Sequence, residues 1–206
     1  MKPIHKLILI HLFAFLLLLS CSTVDFVPKK TEPSKKIVLA WGEKHQDWTD
    51  HLMKETQVFK TAPKDICTKT AQKDLPELYA QLISMMAKFE SGWDPNEKYS
   101  EAFVDSKGNP ITSRGLLQIS IESSNQSAYK CGTKDPNQLH DPFFNLSCGV
   151  KIMSYWTKDE VLFGSAEKNT GCGRYWSVCR PIKAGKPRES YSKISAYVKT
   201  LPICLN

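Results

Sequence analysis

The chain has 206 residues, ample for one folded core, and its 28 Lys and Arg outnumber 21 Asp and Glu for a formal net charge of +7. The basic residues are dispersed and no nucleic-acid-binding motif accompanies them, so no nucleic-acid partner is expected. Seven cysteines are scattered without the short paired spacing of a zinc site, so no metal and no other cofactor is expected.

The N-terminus reads as an export signal. Lys2 and Lys6 precede or open a run from Leu7 to Leu19 that is apolar apart from His11. The run is shorter than the about 20 residues of a membrane span and fits the apolar region of a signal peptide. Leu18-Leu19-Ser20-Cys21 then resembles the lipobox of bacterial lipoproteins. The resemblance implies a signal peptide over 1–20 and lipidation of Cys21, which becomes the first mature residue. Ser22, where Asp would retain such proteins at the inner membrane, implies an outer-membrane anchor facing the periplasm. An ordinary signal peptide with a chance cysteine is the plainer alternative. Without the leader the chain keeps 26 basic and 21 acidic residues, or +5, a balance that suits either an anionic cell envelope or plain solubility.

Setting Cys21 aside leaves six cysteines, an even number that reads as up to three disulfides in an exported chain. Cys172 and Cys179 suit a local loop, Cys131 and Cys148 would tie a loop to a helix, and Cys67 and Cys204 would close the two ends of a domain.

Residues 22–36 are polar, with Pro28 and Pro33, and read as a tether. In 37–65, Trp41, Trp48, Leu52 and Phe59 recur at near-helical spacing, as in a helix packed on the main domain. The organisation is therefore 1–20 leader, 21–64 tether and extension, and 65–206 main domain. Asp74-Leu75-Pro76-Glu77 predicts a helix start with Asp74 as its cap. Leu75, Leu78, Tyr79, Leu82, Ile83, Met86 and Phe89 form its apolar stripe, and Gly92 and Pro95 end it. Tyr99 to Ile111, with Gly108-Asn109-Pro110, predicts a loop or small hairpin. Asp141-Pro142 opens a second helix that buries Leu146, Gly149, Val150, Met153 and Trp156.

Glu90 closes the first apolar helix. The apolar surroundings and the negative end of the helix dipole both raise a carboxyl pKa. A carboxyl protonated near neutral pH is what a general acid needs to protonate a glycosidic oxygen. On these grounds alone a surface or salt-bridged glutamate is the commoner case.

Three ordered motifs change that balance. Glu90-Ser91-Gly92, then Gly115-Leu116-Leu117-Gln118-Ile119, then Asn145-Leu146 with Gly149 on a helix, are similar to the motif series of the soluble lytic transglycosylases, relatives of goose-type lysozymes. Asn169-Thr170-Gly171 and Ala196-Tyr197-Val198 resemble two later segments of that family, and the likeness covers roughly 75–200. It implies a mainly α, lysozyme-like fold of α+β type, a helical bundle around a substrate groove. It implies a monomer acting on peptidoglycan glycan strands at the MurNAc-GlcNAc bond. Glu90 would be the acid and then the base. Ser91, Gly115, Leu117, Gln118, Asn169 and Tyr197 would shape or contact the glycan, and Asn145 would be structural. For Gln118 and Tyr197 ordinary buried hydrogen bonding is an equal alternative. Lys168 stands where the family often has tyrosine, and Leu117 where methionine is frequent.

A lytic transglycosylase closes a 1,6-anhydro ring with the sugar's own hydroxyl and needs one carboxylate, whereas a lysozyme adds water and gains from a second. Glu97, Glu101 and Asp105 lie between the first two motifs, and Asp105, nearest the groove motif, is the expected helper. Such a cluster would also favour glycans whose amino sugars have lost acetyl groups and become cationic. A glycan-binding envelope protein without turnover is the non-enzymatic alternative.

Overall fold

The computed structural model describes residues 36–165, 167–168, 170–183 and 185–205. The leader, Cys21 and residues 22–35 of the tether lie outside these residues, as does Asn169. Lys36–Asn206 forms one compact unit.

Among the described residues six α-helices and two small sheets follow one another: α1 Gln46–Glu55, α2 Leu75–Ser91, β1 Lys98–Val104, β2 Pro110–Arg114, β3 Ile119–Ser120, α3 Ile121–Ser124, α4 Pro142–Trp156, β4 Ile182–Lys183, β5 Lys186–Pro187, α5 Glu189–Lys199 and α6 Pro202–Leu205. The fold is thus mainly α with a minor β part. The central helix is α2, which packs against α1 and α5, while α4 packs against α1. Leu78, Leu82, Ile83, Met86 and Ala87 are fully enclosed, and Leu52 of α1, Leu146 and Met153 of α4 and Val198 of α5 share their core. Each enclosed large apolar side chain contributes roughly 1.5–3 kcal/mol. Trp41 and Trp48 belong to this core too, so the segment before residue 65 is packed against α2.

Helix ends follow local chemistry. The Asp141 side chain accepts from the Phe143 and Phe144 N–H groups and starts α4. Gly92 takes the left-handed conformation, φ 64°, that stops α2. Asp74 precedes α2 but makes no capping hydrogen bond. A 3₁₀ turn over Gln72–Asp74 already puts its backbone in a helical conformation, which turns the side chain away from the capping position.

The stretch after α2 is a hairpin. β1 pairs antiparallel with β2, and β2 with β3, so the sheet order is β1-β2-β3. Among the described residues three disulfides join Cys67 to Cys204, Cys131 to Cys148 and Cys172 to Cys179. The first holds the segment before α2 to the C-terminus. The last joins cysteines seven positions apart and closes a short loop that forms part of the groove described next.

Candidate active site

A groove of about 650 Å³ runs over the C-terminal end of α2. One side is the hairpin, with Tyr99, Glu101 and Phe103 of β1 and Ser113 of β2. The other is the Cys172–Cys179 loop and its exit, with Tyr175, Trp176 and Arg180. Glu90 lies between them. Tyr99, Glu101 and Phe103 all face the groove, although β1 is irregular between Ser100 and Val104. Tyr99 and Phe103 remain 60% and 61% exposed, large apolar rings held open at the groove.

Glu90 is half-buried: it reaches the groove, but protein surrounds it on its other sides. Loss of hydration is the main cause that raises its pKa from 4.5 to about 8, and the charge of Glu101 adds to the rise. Arg188, the Val178 backbone N–H and Arg180 pull the other way and only partly offset it. At neutral pH the side chain therefore carries a proton. Glu101 accepts a 2.6 Å hydrogen bond from Ser113 Oγ, which fixes its position on the hairpin.

The residues singled out in sequence divide into two groups. Gln118 does line the groove. Its backbone is left-handed, φ 46°, and its Nε2 donates to the carbonyls of Gly115 (2.9 Å) and Glu97 (3.2 Å). Its Oε1 is buried without a protein partner, an acceptor left over for something in the groove. Ser91 instead braces the site: its hydroxyl lies 3.0 Å from the carbonyls of both Ala87 and Leu116, tying the end of α2 to the segment that carries Gln118.

The others turn away from the groove. Leu117 is wholly enclosed against Gly149, and its N–H donates to Asn145 Oδ1 at 2.9 Å. Gly115 has φ 73°, and a Cβ there would collide with the Leu139 carbonyl and the Asn145 side chain, so this glycine serves close packing beneath the groove. Asn145 holds the arrangement together, its Nδ2 donating to the carbonyls of Leu139 (2.8 Å) and Arg114 (3.0 Å). Tyr197 donates to Gln81 Oε1 at 2.5 Å and clamps α5 to α2 more than two turns before Glu90. Asp105 sits in the turn between β1 and β2. Its carboxylate accepts from the Lys107 and Asn109 N–H groups (2.8 Å each) and from Asn109 Nδ2 (2.9 Å). Turn formation consumes this acid, and Glu101, four residues earlier on the groove face, is the carboxylate brought to Glu90.

Sequence reasoning placed the Cys172–Cys179 loop but passed over the two aromatic residues it brings to the groove, Tyr175 and Trp176. Tyr175 O–H meets Ser123 Oγ at 2.5 Å, and burial pushes its pKa far up, with the Tyr129, Glu90 and Glu101 side chains adding to the rise. Trp176 Nε1 donates to the Leu117 carbonyl at 2.8 Å and anchors the loop on the core. An aromatic pair bracketed by two cysteines was the available signal.

A family model described as the transglycosylase SLT domain matches residues 68–161. Among solved structures the chain is similar to a wild-type form of Bd0314 DslA, with 34% sequence identity, a TM-score of 0.73, and coverage of 83% of this chain and 100% of that one. Two glutamate-to-glutamine mutants of Bd0314 DslA match with the same coverage and TM-score at 33% identity. The two glutamates replaced in those mutants are eleven positions apart, the spacing of Glu90 and Glu101 here. No curated protein matches.

Proposed function

This chain belongs to the transglycosylase SLT family and has its lysozyme-like fold, and on that premise we propose that it cleaves the β-1,4 bond between N-acetylmuramic acid and N-acetylglucosamine in peptidoglycan, as a lytic transglycosylase. The observation that carries the reading is Glu90: a half-buried carboxyl at the floor of an open groove, with a pKa raised to about 8 by burial first and Glu101 second.

The chemistry follows from that proton. Glu90 donates it to the bridging oxygen, and the bond from the anomeric carbon to that oxygen breaks. The resulting carboxylate takes the proton from the muramyl 6-hydroxyl as its oxygen bonds to the anomeric carbon. A 1,6-anhydro end forms and Glu90 is again protonated. Gln118 offers its unpartnered Oε1 to a sugar hydroxyl or amide N–H, and Tyr99 and Phe103 offer apolar faces to sugar rings.

Hydrolysis is the second reading, favoured by Glu101. A second carboxylate in the same groove is suited to orient or deprotonate a water, and the product then has a free reducing end. Mass spectrometry of the released muropeptides separates the two: anhydromuramyl ends are expected, and reducing ends alone would replace transglycosylation by hydrolysis. Glu97, Glu101 and Glu122 along the same groove also support a preference for glycans with de-acetylated, cationic amino sugars; equal rates on acetylated and de-acetylated sacculi would remove it. On the sequence of the leader we propose export and a lipid anchor at Cys21 in the outer membrane, checked by metabolic labelling with a fatty acid in wild type and Cys21→Ala.

A further inference from the structure

Opposite the acidic hairpin the groove has a basic side. Arg180 lines it, with Nε donating to the Gly173 carbonyl at 2.8 Å. Arg188, at the start of α5, lines a second cleft of about 510 Å³ together with Phe89, the residue before Glu90. Its backbone N–H donates to the Pro181 carbonyl at 2.9 Å, holding it beside the exit of the same loop. Arg180 thus shares the groove with Glu90 and Arg188 shares a cleft with the residue before it, and both positive charges bear on the Glu90 carboxyl.

These charges have no close ion-pair partner among the described residues, and the exposed Glu167 acts on Arg180 only from beyond ion-pair distance. The ion pairs among the described residues are Lys36–Glu43, Lys64–Glu160 and Lys193–Glu189, and none includes an arginine. Glu189, the acid next to Arg188, is taken by Lys193 at 2.6 Å. Arg188 Nε is buried without a hydrogen-bond partner. After burial, the charges of Arg188 and Arg174 are what lower the pKa of Arg180, the mark of mutual repulsion. Glu90 gives little relief, because it is largely protonated at neutral pH. Partly buried guanidinium groups without an ion-paired acid gain from an anion that joins them, and the planar fork suits a carboxylate.

Resting on the glycan-cleaving function above, we propose that Arg180 and Arg188 form a carboxylate-binding subsite beside Glu90 that holds an acidic substituent of the glycan strand. Peptidoglycan offers two such carboxylates: the lactyl group when it is free, and those of the attached peptide. With acids along the hairpin and arginines opposite, the groove is polarised across its width, and a strand whose carboxylates project to one side enters it in one orientation.

The test measures dissociation constants by calorimetry in the full protein carrying Glu90→Gln, which stops turnover. Three probes are used: glycan strands with stem peptides, the same strands after amidase removal of the peptides, and β-1,4 N-acetylglucosamine oligomers, which have no carboxylate. Arg180→Gln with Arg188→Gln weakens binding of at least one carboxylate-bearing probe about 10-fold and leaves the carboxylate-free oligomer unaffected. Loss confined to strands with peptides assigns the peptide carboxylate; loss on the stripped strands assigns the lactyl group. Arg180→Lys with Arg188→Lys, which keeps both charges, recovers part of the affinity and guards against misfolding of the first pair. Equal weakening on all three probes, or none on any, overturns the subsite while leaving glycan binding intact. Failure of the protein to bind any of the three overturns the glycan reading itself.

Discussion

Glu101 shares the groove with Glu90, and its charge is the largest influence after burial on the raised Glu90 pKa. The acid is thus poised by two different elements: the apolar end of α2 that strips its water, and a strand that sets a like charge nearby.

Replacing the second acid should expose this coupling. Glu101→Gln removes the neighbouring charge and lowers the Glu90 pKa, so the alkaline fall in activity, expected near pH 8 in the wild type, moves to lower pH. Rates on purified sacculi across pH check it. An unmoved alkaline limb would show that Glu101 does not bear on the acid.

Stability carries the same signature. The folded pKa of about 8 lies above the ordinary 4.5, so the folded state favours the protonated form. Below about 4.5 both folded and unfolded chains hold the proton and the stabilisation is complete. As pH rises toward 8 the unfolded chain releases it first, and the folded state loses ground. Thermal melts should therefore show Glu90→Gln more stable than wild type at pH 8, with the difference closing toward pH 4.5.

Asp105→Ala should lower the melting temperature slightly and leave turnover unchanged, because its carboxylate serves the hairpin turn through Lys107 and Asn109. A large loss of turnover with an unchanged melting temperature would return Asp105 to the groove.

Asn145→Ala should be far more harmful. It strips partners from the buried Leu117 N–H and from the carbonyls of Leu139 and Arg114, at a cost of about 3 kcal/mol or more. Denaturant unfolding measures it, and the segment that carries Gln118 should loosen with it.

The sequence was most legible where one element alone determines the outcome. The apolar stripe and Gly92 define α2 and put Glu90 at its end, and Asp141-Pro142 starts α4. It was least legible where a side chain's direction depends on a distant partner. Leu117 is drawn inward by the space over Gly149, and Tyr197 by Gln81, although both belong to motifs that flank the groove. The choice between Glu101 and Asp105 turned on where the strand ends: Tyr99, Glu101 and Phe103 of β1 line the groove, while Asp105 falls in the turn. The Tyr175-Trp176 pair became visible only once the Cys172–Cys179 loop was seen lying against Leu117 and Ser123.

The most direct test is digestion of purified peptidoglycan sacculi by wild type and Glu90→Gln, with soluble muropeptides quantified and binding to the sacculi measured in parallel. The wild type should release fragments, and Glu90→Gln should still bind while release falls by about 10²–10⁴-fold. Binding without release by the wild type, or undiminished release by Glu90→Gln, would contradict an enzyme that works through this carboxyl.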